Sequence, residues 1–204
     1  MGAADRLWAR VYDLTAAALF LPLGGLDRMR EQALDAITVA PGMRVLELGC
    51  GTGGITRKLV MRGARMTAVD RSRAALRLAA RRAPGAETVR AELDGFTAPA
   101  AYDRVLLAFV LHEIGAAGIA RILGAARNAL APGGRAAVLD WADPPGGLPR
   151  RLVRGFVRAG EPESAGAWLS TDVGDTMRSA GLAPVDERVL ARGAARLVIA
   201  AAAG

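Results

Sequence analysis

The densest run of chemistry-bearing residues is Glu47-Leu48-Gly49-Cys50-Gly51-Thr52-Gly53-Gly54. An apolar stretch, Val45 to Leu48, leads into three alternating glycines, and a helical pattern begins at once. Glycine lets the backbone turn tightly and lets a ligand approach with no Cβ in the way. Open parallel sheets bind ligands at the carboxyl ends of their strands, where such turns lie. The segment therefore reads as a cofactor site. Its spacing also satisfies G-x-G-x-x-G, the dinucleotide fingerprint, and Asp70 ends the next apolar run, where an acid would meet a ribose. From the glycines alone, a nicotinamide or flavin enzyme stays open. Glu47 points elsewhere. It lies beside the place a pyrophosphate would occupy, and an acid there repels phosphate but suits a ligand carrying an amino group or a positive charge.

A second group follows the fourth apolar run, in Phe109-Val110-Leu111-His112-Glu113-Ile114. His112 is the single histidine. A neutral imidazole can take a proton near pH 7, so His112 is a candidate general base, with a purely shaping role in the turn as the other reading. Glu113 could orient it, and a solvated acid at a helix start is the preferred reading. Asp140-Trp141 ends the fifth run and should face the same pocket, where Trp141 offers a flat apolar wall or packs in the core. One histidine rules out two-histidine metal motifs. One cysteine, Cys50, rules out an internal disulfide framework and a multi-cysteine zinc site, so no metal is expected. No serine sits in G-x-S-x-G.

These residues need a scaffold, and the pattern supplies one. Val45–Leu48, Met66–Asp70, Thr88–Ala91, Val105–Phe109 and Ala136–Asp140 read as strands, separated by helices over 52–61, 72–82 and 116–130. Ser72 is a plausible N-cap, and Pro132-Gly133-Gly134 stops the third of these helices. Alternating strands and crossover helices give a parallel sheet. Val185–Leu190 and Leu197–Ala201, joined near Arg192-Gly193, read as an antiparallel hairpin after a helix over 172–180. The expected fold is α/β: a Rossmann-like, doubly wound, seven-stranded sheet, mostly parallel with a C-terminal antiparallel hairpin, helices on both faces and an N-terminal helical lid. The 204 residues form one domain, divided into a lid (1–40), a cofactor core (41–142), a substrate-side insertion (143–170) and a terminal helix and hairpin (171–204). Trp8, Val11, Leu14 and Ala18 share one stripe of the first helix, and a second helix spans 26–37. Aromatics are only 4%, so aliphatic side chains and alanine must build the core.

Glu47, the glycine turn, Asp70, Glu92 and the Leu130-Ala131-Pro132-Gly133-Gly134 turn together resemble the class I S-adenosyl-L-methionine (SAM)-dependent methyltransferases, from Val45 to Asp140. The resemblance implies that Glu47 faces the amino acid end of SAM and that Gly49, Gly51 and Gly53 line its methionine and ribose. It implies that Asp70 takes both ribose hydroxyls and that Glu92, or else Asp94, lies near the adenine. Cys50, Arg71 and Leu93 complete the implied cofactor set. Family members commonly carry Asp where Glu92 stands. The Leu-His-Glu stretch, Tyr12-Asp13 and the Leu-x-Pro-Gly-Gly turn are similar to the ubiquinone and menaquinone C-methyltransferase group (methyltransferase type 11). That likeness implies C- or O-methylation of a quinone-like or phenolic small molecule, with Tyr12, Phe109, His112 and Trp141 on the acceptor side. Relatives that use SAM for other chemistry share some of these residues. The alternatives are an NAD(P)-dependent oxidoreductase and a non-catalytic SAM-binding protein.

The net charge of +7 is almost all arginine, spread along the chain, which makes a nucleic-acid partner unlikely as its cause. Asp143-Pro144-Pro145 resembles the D-P-P-[YF] motif of adenine N6 methyltransferases, but it follows the fifth strand and Gly146 replaces the aromatic. Arg150, Arg151, Arg154 and Arg158 cluster on one expected helix, which suits a solvated face or contact with anionic headgroups. No stretch is long enough to span a membrane. A cytoplasmic protein, peripheral to the inner face of the membrane at most, is expected.

Overall fold

The computed structural model describes residues 14–203. Trp8, Val11 and Tyr12 lie outside them. Helix α1 covers residues 14–20 and passes through a short 3-10 turn, Leu21–Leu23, into α2 (Leu26–Ile37). Leu14 and Ala18, the two described members of the expected stripe, are exposed, and Phe20 is the residue of α1 that enters the core. Helix α2 buries Met29, Ala33, Leu34 and Ile37.

Strand β1 (Arg44–Leu48) is followed by α3 (Gly54–Met61), β2 (Arg65–Asp70), α4 (Arg73–Arg82) and β3 (Glu87–Arg90). Then come β4 (Tyr102–Ala108), α5 (Ala116–Ala129), β5 (Leu130–Trp141), α6 (Gly147–Gly160), α7 (Glu163–Trp168), α8 (Val173–Ser179), β6 (Leu182–Leu190) and β7 (Ala195–Ala202). One seven-stranded sheet runs β3-β2-β1-β4-β5-β7-β6, parallel throughout except where β7 pairs antiparallel with β5 and β6. The expected fold class and the terminal hairpin are both present. Strands β1 to β3 step one way and β4 to β5 the other. Right-handed crossovers therefore send α3 and α4 to one face and α5 to the opposite face. The order reverses between β1 and β4, and a crevice opens at their carboxyl ends.

Strand β5 is longer than its apolar run suggests. Leu130 already pairs with Tyr102, and the register shifts before Arg104 meets Arg135. The Pro132-Gly133-Gly134 turn is thus absorbed as a bulge, with Gly133 at φ 76°. The core is aliphatic, as composition demands: Val45, Leu46, Leu48, Val105, Leu106, Leu107, Val138 and Leu139 are all at most 1% exposed.

Two devices fix the elements beneath the crevice. Ser72 caps α4 by accepting from the Ala75 N–H at 3.2 Å, as its sequence position suggests. Lys58 of α3 and Arg62, the residue that caps its end, both bond Glu31 of α2, at 2.7 and 2.6 Å, and Arg62 also reaches Asp35 at 2.6 Å. This clasp holds α2 against α3 although no periodicity in either helix announces it.

Helix α4 packs directly on the glycine turn. A Cβ at Gly53, where φ is +79°, would stand 2.7 Å from the Cα of Ala79. At Gly51 a Cβ would meet nothing within 4 Å. Gly53→Ala should therefore cost about 2–4 kcal/mol, combining overpacking with a left-handed backbone. Gly51→Ala should cost only the roughly 1–2 kcal/mol of the backbone term. Urea unfolding without ligand measures both; equal losses would show that α4 does not crowd the turn.

Candidate functional site

The crevice is built by the turns after β1, β2 and β4. The glycine turn is anchored to β2: the N–H groups of Gly49 and Cys50 both donate to the Val69 carbonyl, at 2.8 and 3.0 Å. Asp70 then holds it from the other side. One carboxylate oxygen accepts from the Gly51 N–H and the other from the Ser72 N–H, both at 2.8 Å. Gly49 lies against Val110 after β4, where a Cβ would come within 2.4 Å. Sequence places Glu47, Gly49, Cys50, Gly51, Gly53 and Asp70 at one site, and the structure brings them together.

Glu47 is buried, with 2% exposure. The Thr56 hydroxyl donates to its Oε2 at 2.6 Å. Burial pushes the carboxyl up to about 7, against the Thr56 bond and the Arg30 charge, which both favour ionisation. Arg30, on α2, lies close enough that a Cβ at Gly54 would stand 3.0 Å from its guanidinium. Nothing in the sequence marks Arg30 among the charged residues of an amphipathic helix. The Cys50 thiol is buried, and burial with Glu47 and Asp70 nearby raises its pKa, so it lines the turn as an inert group.

The adenine side is more open. Strand β3 ends at Arg90, and Glu92 stands exposed two residues beyond. Asp94 is bound bidentately by Arg121, at 2.5 and 2.7 Å, which leaves Glu92 as the acid available there. Arg71 is exposed, and its carbonyl accepts from Arg90 Nε at 3.2 Å. Leu93 packs partly against the core.

Past β4 the chain turns through Phe109, which has φ +55°, into a 3-10 turn, Leu111–Glu113. Asp140, 1% exposed at the end of β5, organises this turn. Its Oδ2 accepts from the N–H groups of Val110, Leu111 and His112 at 3.3, 2.9 and 3.3 Å. Its Oδ1 accepts from the Trp141 N–H at 2.8 Å and lies 2.7 Å from His112 Nδ1.

His112 is 0% exposed, and its Nε2 lies 3.2 Å from Glu161 Oε2. Burial opposes a charged ring, but the bonds to Asp140 and Glu161 outweigh it and raise the imidazole to about 10. Of the two roles the sequence leaves open, this arrangement matches the shaping one. The ring has no free lone pair, which corrects the picture of a neutral imidazole accepting a proton near pH 7. Glu113 is an exposed residue, but partial burial of its carboxyl raises its pKa, against the His112 charge. Glu161 was not visible in the sequence. It lies 49 positions from His112, in a segment rich in glycine, proline and arginine, and no spacing links the two.

Trp141 is 4% exposed and sits inside an aromatic cluster. Phe20 stacks on it at 5.5 Å between ring centroids, and Phe109 meets it edge-on at 5.0 Å. Phe156 of α6 is tilted at 5.6 Å. Three of the four phenylalanines thus gather on one tryptophan. Among the described residues, the buried Trp141 indole N–H has no acceptor. The arginines of α6 are not equivalent: Arg150 and Arg154 both fork onto Asp143, each with a bond of 2.8 Å, while Arg151 and Arg158 are exposed. No helix among the described residues is long and apolar enough to cross a membrane.

Comparison with known proteins agrees with this geometry. Residues 45–134 match the family model of a methyltransferase domain. An uncharacterized methyltransferase of Synechocystis sp. is 30% identical over 193 residues, covering 94% of this chain and 91% of that relative. A demethylmenaquinone methyltransferase of Beutenbergia cavernae is 34% identical over 141 residues, which cover 67% of this chain but only 56% of that protein. The crystal structure of a TehB-like SAM-dependent methyltransferase from Corynebacterium glutamicum superposes with a TM-score of 0.70 over 98% of both chains, at 19% identity, and so shares the fold.

Glu47 makes stability depend on pH. The folded chain keeps its proton up to about pH 7, against an ordinary value of 4.5. Between these values the folded state binds more protons than the unfolded one. Stability therefore falls as pH rises from 4.5 through 7, by on the order of 3 kcal/mol in all. Glu47→Gln keeps an acceptor for Thr56 and removes the charge. It should flatten this slope and leave the variant more stable than wild type at pH 8.5 but not at pH 5. Urea midpoints at the two pH values test this; an unaltered slope would clear Glu47 of the effect.

Proposed function

Because the chain belongs to the class I SAM-dependent methyltransferases, with SAM as its methyl donor, we propose that it methylates a small aromatic acceptor bearing an oxygen, of the quinol or phenol type. The aromatic cluster around Trp141 carries this reading. It lies at the carboxyl ends of β4 and β5, and its buried indole N–H, unpartnered among the described residues, is a donor suited to a carbonyl or phenolic oxygen. Several relatives named demethylmenaquinone methyltransferase support it, although the chain spans little more than half of the one from Beutenbergia cavernae.

The residues at the crevice fit SAM. A buried carboxylate at Glu47 suits the cationic amino acid end and does not suit the pyrophosphate of a nicotinamide dinucleotide, which gives a physical reason against the oxidoreductase alternative. The space beside Gly51 admits a ligand against the backbone. Asp70 spends one lone pair of each oxygen on backbone N–H groups, and its remaining lone pairs suit a pair of ribose hydroxyls. Cys50 and Arg71 flank this contact, and Glu92 with Leu93 borders the adenine.

Bound there, SAM supplies an electrophilic methyl group on a sulfonium. The acceptor's oxygen or ring carbon would take the methyl as the sulfur–methyl bond breaks and leaves a neutral thioether, and the proton displaced from the acceptor would pass to bulk solvent. The protein's contribution is alignment of the two partners and exclusion of water. Phe20, Phe109 and Phe156 pack the apolar wall around Trp141. His112 sits behind Trp141 at 6.3 Å between ring centroids and positions that wall.

Asp70→Ala should weaken SAM binding at least tenfold, because each charge-assisted bond to the ribose contributes about 1.5–3 kcal/mol. Calorimetric titration gives the affinity and circular dichroism the fold; unchanged affinity in a folded variant removes Asp70 from the site.

The acceptor assignment is tested by offering methyl-labelled SAM with hydroquinones, simple phenols, aliphatic amines and transfer RNA. Label should enter the hydroquinones or phenols, and Trp141→Ala should lower kcat/KM for them by about tenfold or more. Label entering only the amines or the RNA would overturn the reading. Anionic vesicles should raise turnover of a lipophilic hydroquinone if Arg151 and Arg158 seat the protein on headgroups, and leave it unchanged otherwise.

A further inference from the structure

His112, Glu113 and Glu161 meet from two separate parts of the chain. The first two lie on the 3-10 turn after β4, and Glu161 caps the end of α6. One potential ligand atom from each falls within 4.8 Å of the others. Three features of this cluster are compatible with a shared cation.

The first is distance. His112 Nε2 and Glu161 Oε2 are 3.2 Å apart. Bonds of roughly 2.0–2.2 Å from a common zinc-like ion would separate two donors by about 3–3.5 Å. The second is orientation. The Asp140 carboxylate at 2.7 Å holds His112 Nδ1, which turns Nε2 towards Glu161. A carboxylate on the far nitrogen is the usual companion of a metal-bound histidine, because it fixes the tautomer and the ring plane. The third is charge. Asp140, Glu113 and Glu161 bring three carboxylates to one imidazole, and the side chains of His112, Asp140 and Glu161 are 0%, 2% and 4% exposed. Among the described residues no lysine or arginine forms an ion pair with Glu113 or Glu161. A proton on Nε2 offsets one of these charges; a dication that displaces this proton and takes the Nε2 lone pair offsets two.

We propose that His112, Glu113 and Glu161 form a binding site for a divalent first-row transition ion, with Asp140 orienting the histidine. One imidazole nitrogen and two carboxylate oxygens are donors that zinc and its neighbours in the row accept. Glu113, the exposed member, marks the side from which the ion enters. Three protein ligands leave coordination positions open. The binding does not rest on the proposed aromatic acceptor.

The full-length chain, stripped with a chelator and dialysed, is titrated with Zn2+ by calorimetry and with Co2+ by visible absorption. One ion per chain is expected, with a d–d band for Co2+ that Zn2+ abolishes. Glu113→Gln and Glu161→Gln should each weaken Zn2+ binding at least tenfold, and Glu187→Gln, on the edge strand β6, should leave it within twofold of wild type. Glu113 is exposed, so its variant keeps the test valid if the change at Glu161 disturbs folding. Absence of stoichiometric binding overturns the proposal. So does a loss smaller than tenfold in the folded Glu113 variant, or in the Glu161 variant if that folds. Neither result bears on SAM binding, which is measured separately, so failure here is distinct from failure of the acceptor assignment.

Discussion

A single buried carboxylate, that of Asp140, ties the working end of this molecule together. Parallel strands deliver their chains to the crevice but do not fix what happens next, because the turns beyond them lose the ladder hydrogen bonds. Asp140 replaces those bonds for β4 by accepting three consecutive backbone N–H groups, and it holds β5 through the Trp141 N–H. Its bond to His112 Nδ1 then sets the ring that meets Glu161. Backbone N–H groups buried without partners would each cost about 1–3 kcal/mol, so one side chain here replaces a short stretch of sheet. The left-handed Phe109 backbone is tolerated on the same account, with its own N–H bonded to Leu139 at 2.7 Å.

Two buried acids serve opposite ends of the crevice and are treated differently. Asp140 is saturated by donors. Glu47 has one hydroxyl and the influence of Arg30, and burial outweighs both. A saturated carboxylate is a structural anchor. An unsaturated one is held at some expense of stability when it ionises. The clasp between α2 and α3 matters in this light, because it places Arg30 beside the glycine turn and sets how much of the charge on Glu47 is already met.

What could be read from the sequence was local. The strand, glycine turn and helix from Val45 to Met61 form a continuous motif, Ser72 caps the next helix from its neighbouring position, and Asp70 is found by strand-end placement alone. Parallel strands separated by helices also make the sheet legible, since each apolar run is bounded by its own breakers. What escaped was long-range or cumulative. Glu161 reaches His112 across 49 positions, Arg30 acts on Glu47 from another helix, and the aromatic cluster assembles Phe20, Phe109, Trp141 and Phe156 from four elements. The extension of β5 through a Pro-Gly-Gly bulge went unread because that tripeptide signals a turn, and only pairing of Leu130 with Tyr102 makes it part of a strand. The role of His112 could not be settled by residue type, because it depends on what each ring nitrogen meets.

The hairpin at the far side of the sheet has a consequence for how the chain folds. Strand β7 is not an edge; it lies between β5 and β6, and each of its pairs with β5 joins residues more than fifty positions apart. The β1–α3–β2 unit and its neighbours close over much shorter loops and can form early. Until β7 arrives, β5 presents Ala136, Ala137, Val138 and Leu139 along an open strand edge, a template on which a second chain can pair as readily as the chain's own hairpin. In the finished sheet that edge is gone, and the exposed strand is β6, whose Asp186, Glu187 and Arg188 interrupt its apolar residues. Refolding at high protein concentration is therefore a race between a late intramolecular insertion and strand pairing between molecules, and the charged β6 guards only the state in which the race has already been won.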